Sequence, residues 1–273
     1  MREGRKSHAG NVRAGGVSAD LLKLTALVTM LIDHIGAGIL ERCLIDGYVA
    51  DAGLYQAVNL LDSVLRCIGR ISFPVFCFLL VEGFLHTRSR RGYALRLLAF
   101  ALLSEIPFDL LFSGGLNPDS QNVFWTLLIG LLVLWGMERS LPRALHSAAH
   151  TVCILLILGA GMAAGALLKT DYSWRGVLLI AVIRLLYRDR LLLVVEAPCL
   201  FLFTEFLALF SRGLSLSYCL ETVLSHFTVF LSFVLIRFYN GKRRRKGHRY
   251  FFYLFYPAHL LLIFLIRQLL YML

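Results

Sequence analysis

The most informative stretch of the sequence is a long apolar run near the N-terminus, residues 21–40, LLKLTALVTMLIDHIGAGIL. An α-helix needs about 20 predominantly apolar residues to cross a hydrocarbon core of about 30 Å. The run has that length, and its ionisable residues are Lys23, Asp33 and His34. It therefore predicts a membrane-spanning helix that carries three ionisable groups.

Eight further apolar runs follow, separated by shorter polar or charged stretches. The chain of 273 residues is 58% hydrophobic and 16% charged, whereas soluble domains are about 45–50% apolar and about 25% charged. This composition excludes a soluble enzyme, and long runs without strict alternation favour helices over barrel strands. We predict an all-α integral membrane protein, a polytopic bundle of about nine transmembrane helices, at 21–40, 65–86, 93–113, 122–138, 145–168, 174–187, 191–211, 216–239 and 250–271.

The distribution of Lys and Arg predicts the orientation of these helices. Cytoplasmic segments of membrane proteins carry an excess of both residues, and most of the 28 basic residues here fall on the side of the N-terminus. We therefore predict a cytoplasmic N-terminus and a C-terminus on the outer side. Residues 1–18 are interpreted as a flexible basic cytoplasmic tail and residues 19–273 as the membrane domain. The basic run at 242–246 indicates contact with anionic membrane lipid rather than a nucleic-acid site.

Lys23 and His34 lie on the same face of the first predicted helix. Their separation of eleven residues turns a helix by about 1100°, which is about 20° past three full turns, and places them about 16 Å apart along the axis. A neutral histidine can take a proton from an attacking nucleophile near neutral pH, and a lysine can attract a phosphate-bearing donor. In the alternative interpretation, Lys23 is an interfacial anchor and His34 is packed against a neighbouring helix.

Asp33 points about 100° away from His34 and is expected to pair with a base on a neighbouring helix. Arg66 and Arg70 are the natural candidates, because they lie four residues apart and share a helix face. These two arginines have two interpretations. They bind an anionic group of an acceptor substrate, or they neutralise Asp33 and other carboxylates.

Two further pairs of ionisable residues have the spacing of neighbours on one face of a helix. Glu82 and His86 form either a second acid–base pair or a structural contact. Glu105 and Asp109 form either a general-acid pair or partners for the arginines at 66 and 70. No spacing of these side chains is typical of a metal site, so we predict no bound metal.

The last apolar run contains Tyr256, Pro257 and His259. A proline inside a helix removes a backbone hydrogen bond and kinks the helix. Irregular backbone in a membrane persists where it lines a cavity or is buried by protein. The turn is therefore interpreted as a wall of an active chamber, or alternatively as a kink held by packing.

Several ordered motifs resemble the TraX family of membrane proteins. They are LIDHIGA at the end of the first run, LRCIGRISFPVFCFLLVEGFLHT at 65–87, NVFWTLL at 122–128, DYSWRGVLL at 171–179 and KGHRYFFYLFYPAHLLL at 246–262. The resemblance covers about residues 20–270, nearly the whole chain. The namesake of the family is associated with N-terminal acetylation of the pilin subunit in bacterial conjugation. The family is also distantly similar to multispanning acyltransferases, in which a basic residue precedes a catalytic histidine with ten residues between them.

The resemblance implies an acetyltransferase of the bacterial cytoplasmic membrane that uses acetyl-CoA as its donor. Lys23, in place of the more usual Arg, and the cluster that contains Arg88 and Arg91 would attract the donor phosphates. His34, with Asp33 beside it, would deprotonate an amine or hydroxyl acceptor. Arg70, Tyr256 and a freed backbone amide near Pro257 are the candidate donors to the developing oxyanion.

The acceptor and the function class stay open at this point. The acceptor implied by the resemblance is a pilin-like peptide or an envelope glycan or lipid. A transporter or flippase would also carry intramembrane charges. A non-catalytic scaffold of a conjugation or secretion apparatus is the third alternative, and it predicts that Lys23 and His34 are replaceable.

Overall fold

A computed structural model describes residues 16–139, 148–242 and 249–272, so most of the predicted tail at 1–18 and most of the basic run at 242–246 lie outside it. The described residues are helical apart from short connections and two isolated β-bridges. The elements are α1 (Ala19–Ile35), a π-helical segment (Gly36–Leu40), α2 (Glu41–Ile45), α3 (Ala52–Gly69), α4 (Ser72–His86), α5 (Arg90–Phe112), α6 (Val123–Arg139), α7 (Ala148–Leu167), α8 (Ser173–Leu185), α9 (Arg190–Phe210), α10 (Leu216–Ser225), a 3-10 turn (His226–Thr228), α11 (Val229–Arg237) and α12 (Arg249–Met272).

Each of the nine predicted spans overlaps at least one helix of the described residues. Six segments in the described part of the chain are long and apolar enough to cross a membrane. They are Ala19–Ile45, Ala52–His86, Ala148–Leu167, Arg190–Phe210, Leu216–Arg237 and Phe251–Met272. Helices α5, α6 and α8 complete the bundle between them.

Helix α4 lies at the centre of the bundle, where it contacts α1, α6, α8 and α11. Its side chains are buried on most of its circumference, and Val75, Cys77 and Phe78 are completely inaccessible. Helix α7 is the opposite case, because its large apolar side chains, such as Leu155 and Leu156, are mostly exposed. A helix with an exposed apolar surface is suited to face lipid, where apolar exposure carries no hydrophobic penalty.

Helix α3 corrects one part of the sequence interpretation. Residues 52–64 lie outside the predicted spans, but they form most of a helix. Its N-terminus is capped by Asp51, which accepts a hydrogen bond from the Leu54 amide at 2.7 Å. The predicted span at 65–86 therefore begins inside α3 and crosses a break at residues 70–71. The prediction failed here because Asn59, Asp62 and Ser63 lower the hydropathy of a segment that is nevertheless amphipathic.

The α5–α6 and α7–α8 connections pair with each other at one end of the bundle. The Gln121 amide donates to the Lys169 carbonyl at 3.1 Å, and the Asp171 amide donates to the Gln121 carbonyl at 2.7 Å. The Lys169 ammonium also bonds the exposed Asp119 carboxylate, and this contact holds the pKa of Asp119 below its usual value. These bonds link the α5–α6 connection to the α7–α8 connection, and they thereby hold the adjoining ends of four helices together.

Helices α1 and α3 approach each other closely at Gly69. A Cβ atom added at this position would lie 2.1 Å from the Asp33 Oδ1 atom, a distance that two unbonded atoms cannot adopt. Glycine is therefore required for the Asp33 carboxylate to lie against the end of α3. Small residues at such crossings are a general means of bringing membrane helices together.

We expect Gly69→Ala to lower the free energy of unfolding by about 1–3 kcal/mol, the usual effect of an added methyl group in a filled site. The matched control is Gly159→Ala on α7, where nothing lies within 4 Å of the added Cβ. That variant should remain within about 0.5 kcal/mol of the wild type. Thermal unfolding of both variants in one detergent measures the difference, and equal effects would contradict the close approach.

Candidate active site

His34 and His259 form the centre of the candidate site. His34 lies in the last turn of α1, and its Nδ1 atom is 2.7 Å from Nε2 of His259 on α12. His259 is buried, and its Nδ1 atom is 2.7 Å from the backbone carbonyl oxygen of Phe255, one turn earlier in the same helix. The pair is therefore tied to the backbone of α12.

Aromatic side chains enclose His34 on two sides. The rings of Phe112 and Tyr256 meet it edge-on, with centroid distances of 5.5 Å and 5.9 Å. Contacts of this geometry favour a fixed ring orientation. His34 itself is only partly buried, so the imidazole combines a fixed position with some accessibility.

The backbone directly after His34 leaves the α-helical pattern. Residues Gly36–Leu40 form a π-helical turn, a feature that is frequent at functional sites. The guanidinium of Arg267, buried on α12, donates to the carbonyl oxygens of Gly38 at 3.0 Å, Leu111 at 2.7 Å and Leu110 at 3.1 Å. One side chain thus joins α12 to α5 and to the π-helical segment that follows His34.

A cavity of about 480 Å³ extends from Lys23 to Tyr256, and neither His34 nor His259 is among its lining residues. Its basic and polar lining comprises Lys23, His86, Thr87 and Arg96. Its apolar and aromatic lining includes Met30, Leu79, Leu80, Leu97, Phe124, Leu127, Phe252, Tyr253 and Tyr256. Tyr256 lines the cavity and also contacts His34, so it lies between the cavity and the pair.

Lys23 and His34 both lie on the helix that the first apolar run predicted. The two residues lie on α1, with Lys23 in the second turn and His34 in the last. The Lys23 Nζ atom lies 4.9 Å from the ring centroid of Phe252, in cation–π geometry. The face of α1 between them lines the cavity at Met30.

Arg88 and Arg91 do not line the large cavity. Together with Arg90, they line a shallower cavity of about 360 Å³ that shares Thr87 with the large one. The arginine cluster is therefore adjacent to the Lys23 end of the large cavity. Arg90 is held there by a 2.7 Å ion pair with Glu138.

Arg96 lines the large cavity in addition to the residues proposed from the sequence. Its guanidinium lies 5.6 Å from the ring centroid of Tyr93. The signal for it was present, because Arg96 is an ionisable residue inside the predicted span 93–113, as Lys23 is in the first span.

The predicted pairing of Asp33 with an arginine on the next helix is confirmed. Arg66 donates to the Asp33 Oδ2 atom at 2.8 Å, across the interface between α1 and α3. Arg70 also lies near Asp33, but its buried Nε atom has no hydrogen-bond partner among the described residues, and neither has the Asp33 Oδ1 atom. Asp33 does not orient His34 directly, because the contacts at the His34 ring come from His259 and the aromatic side chains.

Glu82 and His86 are neighbours, as their spacing predicted, but their principal contacts differ. His86 Nδ1 lies 2.9 Å from the Glu82 backbone carbonyl oxygen and 3.7 Å from its carboxylate. The Glu82 carboxylate accepts hydrogen bonds from Tyr187 and, at 3.0 Å, from Tyr239. His86 lines the cavity, whereas Glu82 joins α4 to two other parts of the bundle.

Glu105 occupies a different environment from the one expected. Its carboxylate accepts hydrogen bonds from Asn122 Nδ2 at 2.6 Å and Trp125 Nε1 at 2.5 Å, so it fixes the start of α6 rather than pairing with Arg66 or Arg70. Asp109 accepts from the Asn117 amide at 3.0 Å in the same connection. The donors to these two acids are asparagine and tryptophan groups rather than basic side chains, and the buried Asp109 Oδ1 atom has no hydrogen-bond partner among the described residues.

Comparison with known proteins supplies the family context. The family model described as TraX protein matches residues 18–267. The probable fimbrial assembly protein FimC, serogroup H1, of Dichelobacter nodosus is 30% identical over 258 residues, which cover 90% of this chain and 94% of that protein. An uncharacterized protein of Rickettsia prowazekii is 26% identical over 139 residues, which cover 51% of this chain and 45% of that protein. No solved structure matches the chain.

We expect Asp33 and Arg66 to be energetically coupled across α1 and α3. In a double-mutant cycle with Asp33→Asn and Arg66→Gln, unfolding in detergent should give a coupling free energy of about 1–3 kcal/mol, because each single change leaves a partly buried group without its partner. The exposed pair Asp119 and Lys169, treated in the same way, should couple weakly. Additive effects of Asp33→Asn and Arg66→Gln would show that the pair does not hold the two helices together.

Proposed function

The chain belongs to the TraX family, and from this premise we propose that it is a membrane-embedded acyltransferase. It would move an acetyl group from cytoplasmic acetyl-CoA to an amine or hydroxyl acceptor. The observation that carries the proposal is the cavity lined by Lys23 and Arg96, which extends to Tyr256, the residue in contact with His34. A path for a charged donor thus ends beside a candidate general base.

The proposed topology has nine membrane spans with the N-terminus in the cytoplasm of a bacterial cell. In this orientation Lys23, near the start of α1, lies at the cytoplasmic surface, and His34 lies deeper in the membrane. Acetyl-CoA is a cytoplasmic metabolite, so the orientation gives the donor access to the correct end of the cavity. The excess of Lys and Arg on the N-terminal side supports it.

The lining of the cavity matches the chemistry of an acyl-CoA. The phosphates would bind near Arg88, Arg91 and Arg96, where guanidinium groups provide paired donors for phosphate oxygens. The pantetheine arm would occupy the apolar part of the cavity, whose volume of about 480 Å³ is in the usual range for small-molecule sites. Lys23 would add positive charge at the same end.

In the proposed reaction, His34 acts as the general base. It takes the proton from the acceptor amine or hydroxyl as that group attacks the thioester carbonyl carbon. The new carbon–nitrogen or carbon–oxygen bond forms, the carbon–sulfur bond breaks, and the thiolate of CoA receives the proton back from His34. An acetyl-His34 intermediate is the alternative route, and ping-pong kinetics would identify it.

Tyr256 is the favoured donor to the developing oxyanion. It lines the donor cavity and touches His34, whereas Arg70 lies beside Asp33 and does not line that cavity. A hydroxyl at this position can stabilise negative charge that appears on the carbonyl oxygen only during the reaction. Asp33 and Arg66 would then act indirectly, by holding α1 in place.

The proposed acceptor is a pilin-like peptide with a free N-terminal amine, or an envelope glycan or lipid. The similar protein of Dichelobacter nodosus is named for fimbrial assembly, which favours the peptide. The same name also suits a non-catalytic scaffold of a pilus apparatus. The enzyme and the scaffold differ in whether thioester is consumed.

The test is acetyl transfer by the purified protein in nanodiscs, with labelled acetyl-CoA and either a pilin-type N-terminal peptide or a membrane extract as acceptor. We expect His34→Ala to lower the rate of CoA release by about 10²–10⁴-fold, the usual contribution of a general base. The control is His150→Ala, on the peripheral helix α7, which should retain the wild-type rate. Equal rates for wild type and His34→Ala would contradict the proposal, and no CoA release by the wild type with any acceptor would favour the scaffold or a transporter.

A further inference from the structure

The two imidazole rings of His34 and His259 lie edge to edge. Their planes are parallel within 2°, and their centroids are 4.9 Å apart. Two parallel ring planes can be no farther apart than any two atoms, one taken from each ring. The His34 Nδ1 and His259 Nε2 atoms are 2.7 Å apart, so the planes are separated by at most that distance. Face-to-face contact needs about 3.5 Å, so the rings must be displaced sideways. This arrangement directs a ring nitrogen of each towards the other, as an in-plane hydrogen bond requires.

The Phe255 carbonyl determines which nitrogen carries each proton. A carbonyl oxygen can only accept a hydrogen bond, so the neighbouring His259 Nδ1, at 2.7 Å, must be the protonated nitrogen. In neutral His259 the Nε2 atom is then an acceptor. Its partner, His34 Nδ1, must donate to it. Neutral His34 therefore has its lone pair on Nε2.

We propose that His259 is a positioning residue, which fixes His34 in the Nδ1-protonated tautomer and so leaves Nε2 as the basic atom. The catalytic role of His259 in this inference rests on the proposed acyltransferase function. The tautomer follows from the chain of contacts from Phe255 to His34. His259 does not touch the substrate in this scheme; it acts through His34.

The position of His259 is itself held by the surrounding structure. The residue is 4% exposed, and the ring of Phe255 lies nearly parallel to it at a centroid distance of 4.9 Å. The backbone bond to Phe255 is local to α12, so the orientation of His259 does not depend on α1. The ring can therefore serve as a fixed acceptor for His34 when helices α1 and α12 are packed together.

The chain of hydrogen bonds from the Phe255 carbonyl through His259 to His34 is called the relay here. It also provides a place for the positive charge that forms on His34 during the reaction. When His34 Nε2 takes the acceptor proton, the imidazolium keeps its Nδ1 hydrogen bond to His259 Nε2. Movement of that proton across the 2.7 Å contact would transfer the positive charge to His259, one ring further from the reacting atoms. Return of the proton leaves His34 able to protonate the CoA thiolate from Nε2, so no net proton remains on the relay.

The first readout is independent of activity. With ¹⁵N-labelled histidine in nanodiscs at neutral pH, the nitrogen shifts of His34, assigned by their loss in His34→Ala, should show a protonated Nδ1 and an unprotonated Nε2. His259→Leu should remove this preference. A wild-type spectrum with His34 protonated at Nε2 would overturn the inference, whatever the turnover.

The second readout compares two substitutions of His259. Glutamine keeps a side-chain carbonyl that can accept from His34 Nδ1, whereas leucine offers no acceptor. We expect kcat to fall about tenfold or less in His259→Gln and about a hundredfold or more in His259→Leu, with the KM for acetyl-CoA unchanged in both. Equal losses in the two variants, or a loss confined to KM, would assign His259 a merely structural role.

The two readouts separate this inference from the proposed function. If the wild type consumes no thioester, the acyltransferase proposal and the catalytic role of His259 both fail, while the nitrogen shifts still decide the tautomer. If turnover depends on His34 but the shifts show the other tautomer, the function stands and the relay is wrong. Should His259→Leu fail to fold, the wild-type and His259→Gln spectra decide the tautomer without it.

Discussion

Polar groups inside an apolar bundle must find their partners within the protein, because lipid provides none. Three groups of contacts show this constraint. Arg66 bonds Asp33, Arg267 bonds three backbone carbonyls, and Glu82 accepts from two tyrosines. Each contact joins segments that are distant in the chain, so satisfying a polar group also fixes how two parts of the bundle pack.

The same constraint positions the candidate site. Arg267 satisfies a carbonyl of the π-helical turn that follows His34, and it joins that turn to α5 and α12. Asp33, the residue before His34, fixes the other side of α1 to α3 through Arg66. Between these two anchors the His34 imidazole meets His259 and the edge of Tyr256. A proton-transfer group in such a frame loses little orientation entropy when it reacts.

Much of the fold could be predicted from the sequence, because apolar runs of membrane length are a direct consequence of the solvent. Some side-chain contacts were also accessible, since the position of Asp33 on the first helix correctly predicted a basic partner on the next one, Arg66. The recognition of the family from its motifs is confirmed by the match over residues 18–267. Residues 52–64 of the amphipathic helix α3 were not predicted as helical, because the polar residues in this segment lower its mean hydropathy.

The contacts between distant helices could not be predicted in this way. His34 and His259 are separated by 225 residues, and no periodicity relates them. Pro257 and the neighbouring aromatic residues indicated a chamber wall on the last helix, but not which side chain would meet His34. Helical spacing allowed Glu105 to be part of a general-acid pair or a partner for arginines, and it gave no sign of the neutral donors Asn122 and Trp125.

The central claim is that the cavity from Lys23 to Tyr256 receives an acyl-CoA whose reacting carbon ends beside His34. The most direct measurement is a cryo-electron microscopy structure in nanodiscs with an unreactive thioether analogue of acetyl-CoA. The account predicts phosphate density near Arg88, Arg91 and Arg96, the pantetheine arm along the cavity, and the carbonyl of the analogue within reach of His34 Nε2. Binding of the analogue outside this cavity, or an empty cavity at saturating analogue, would contradict the account.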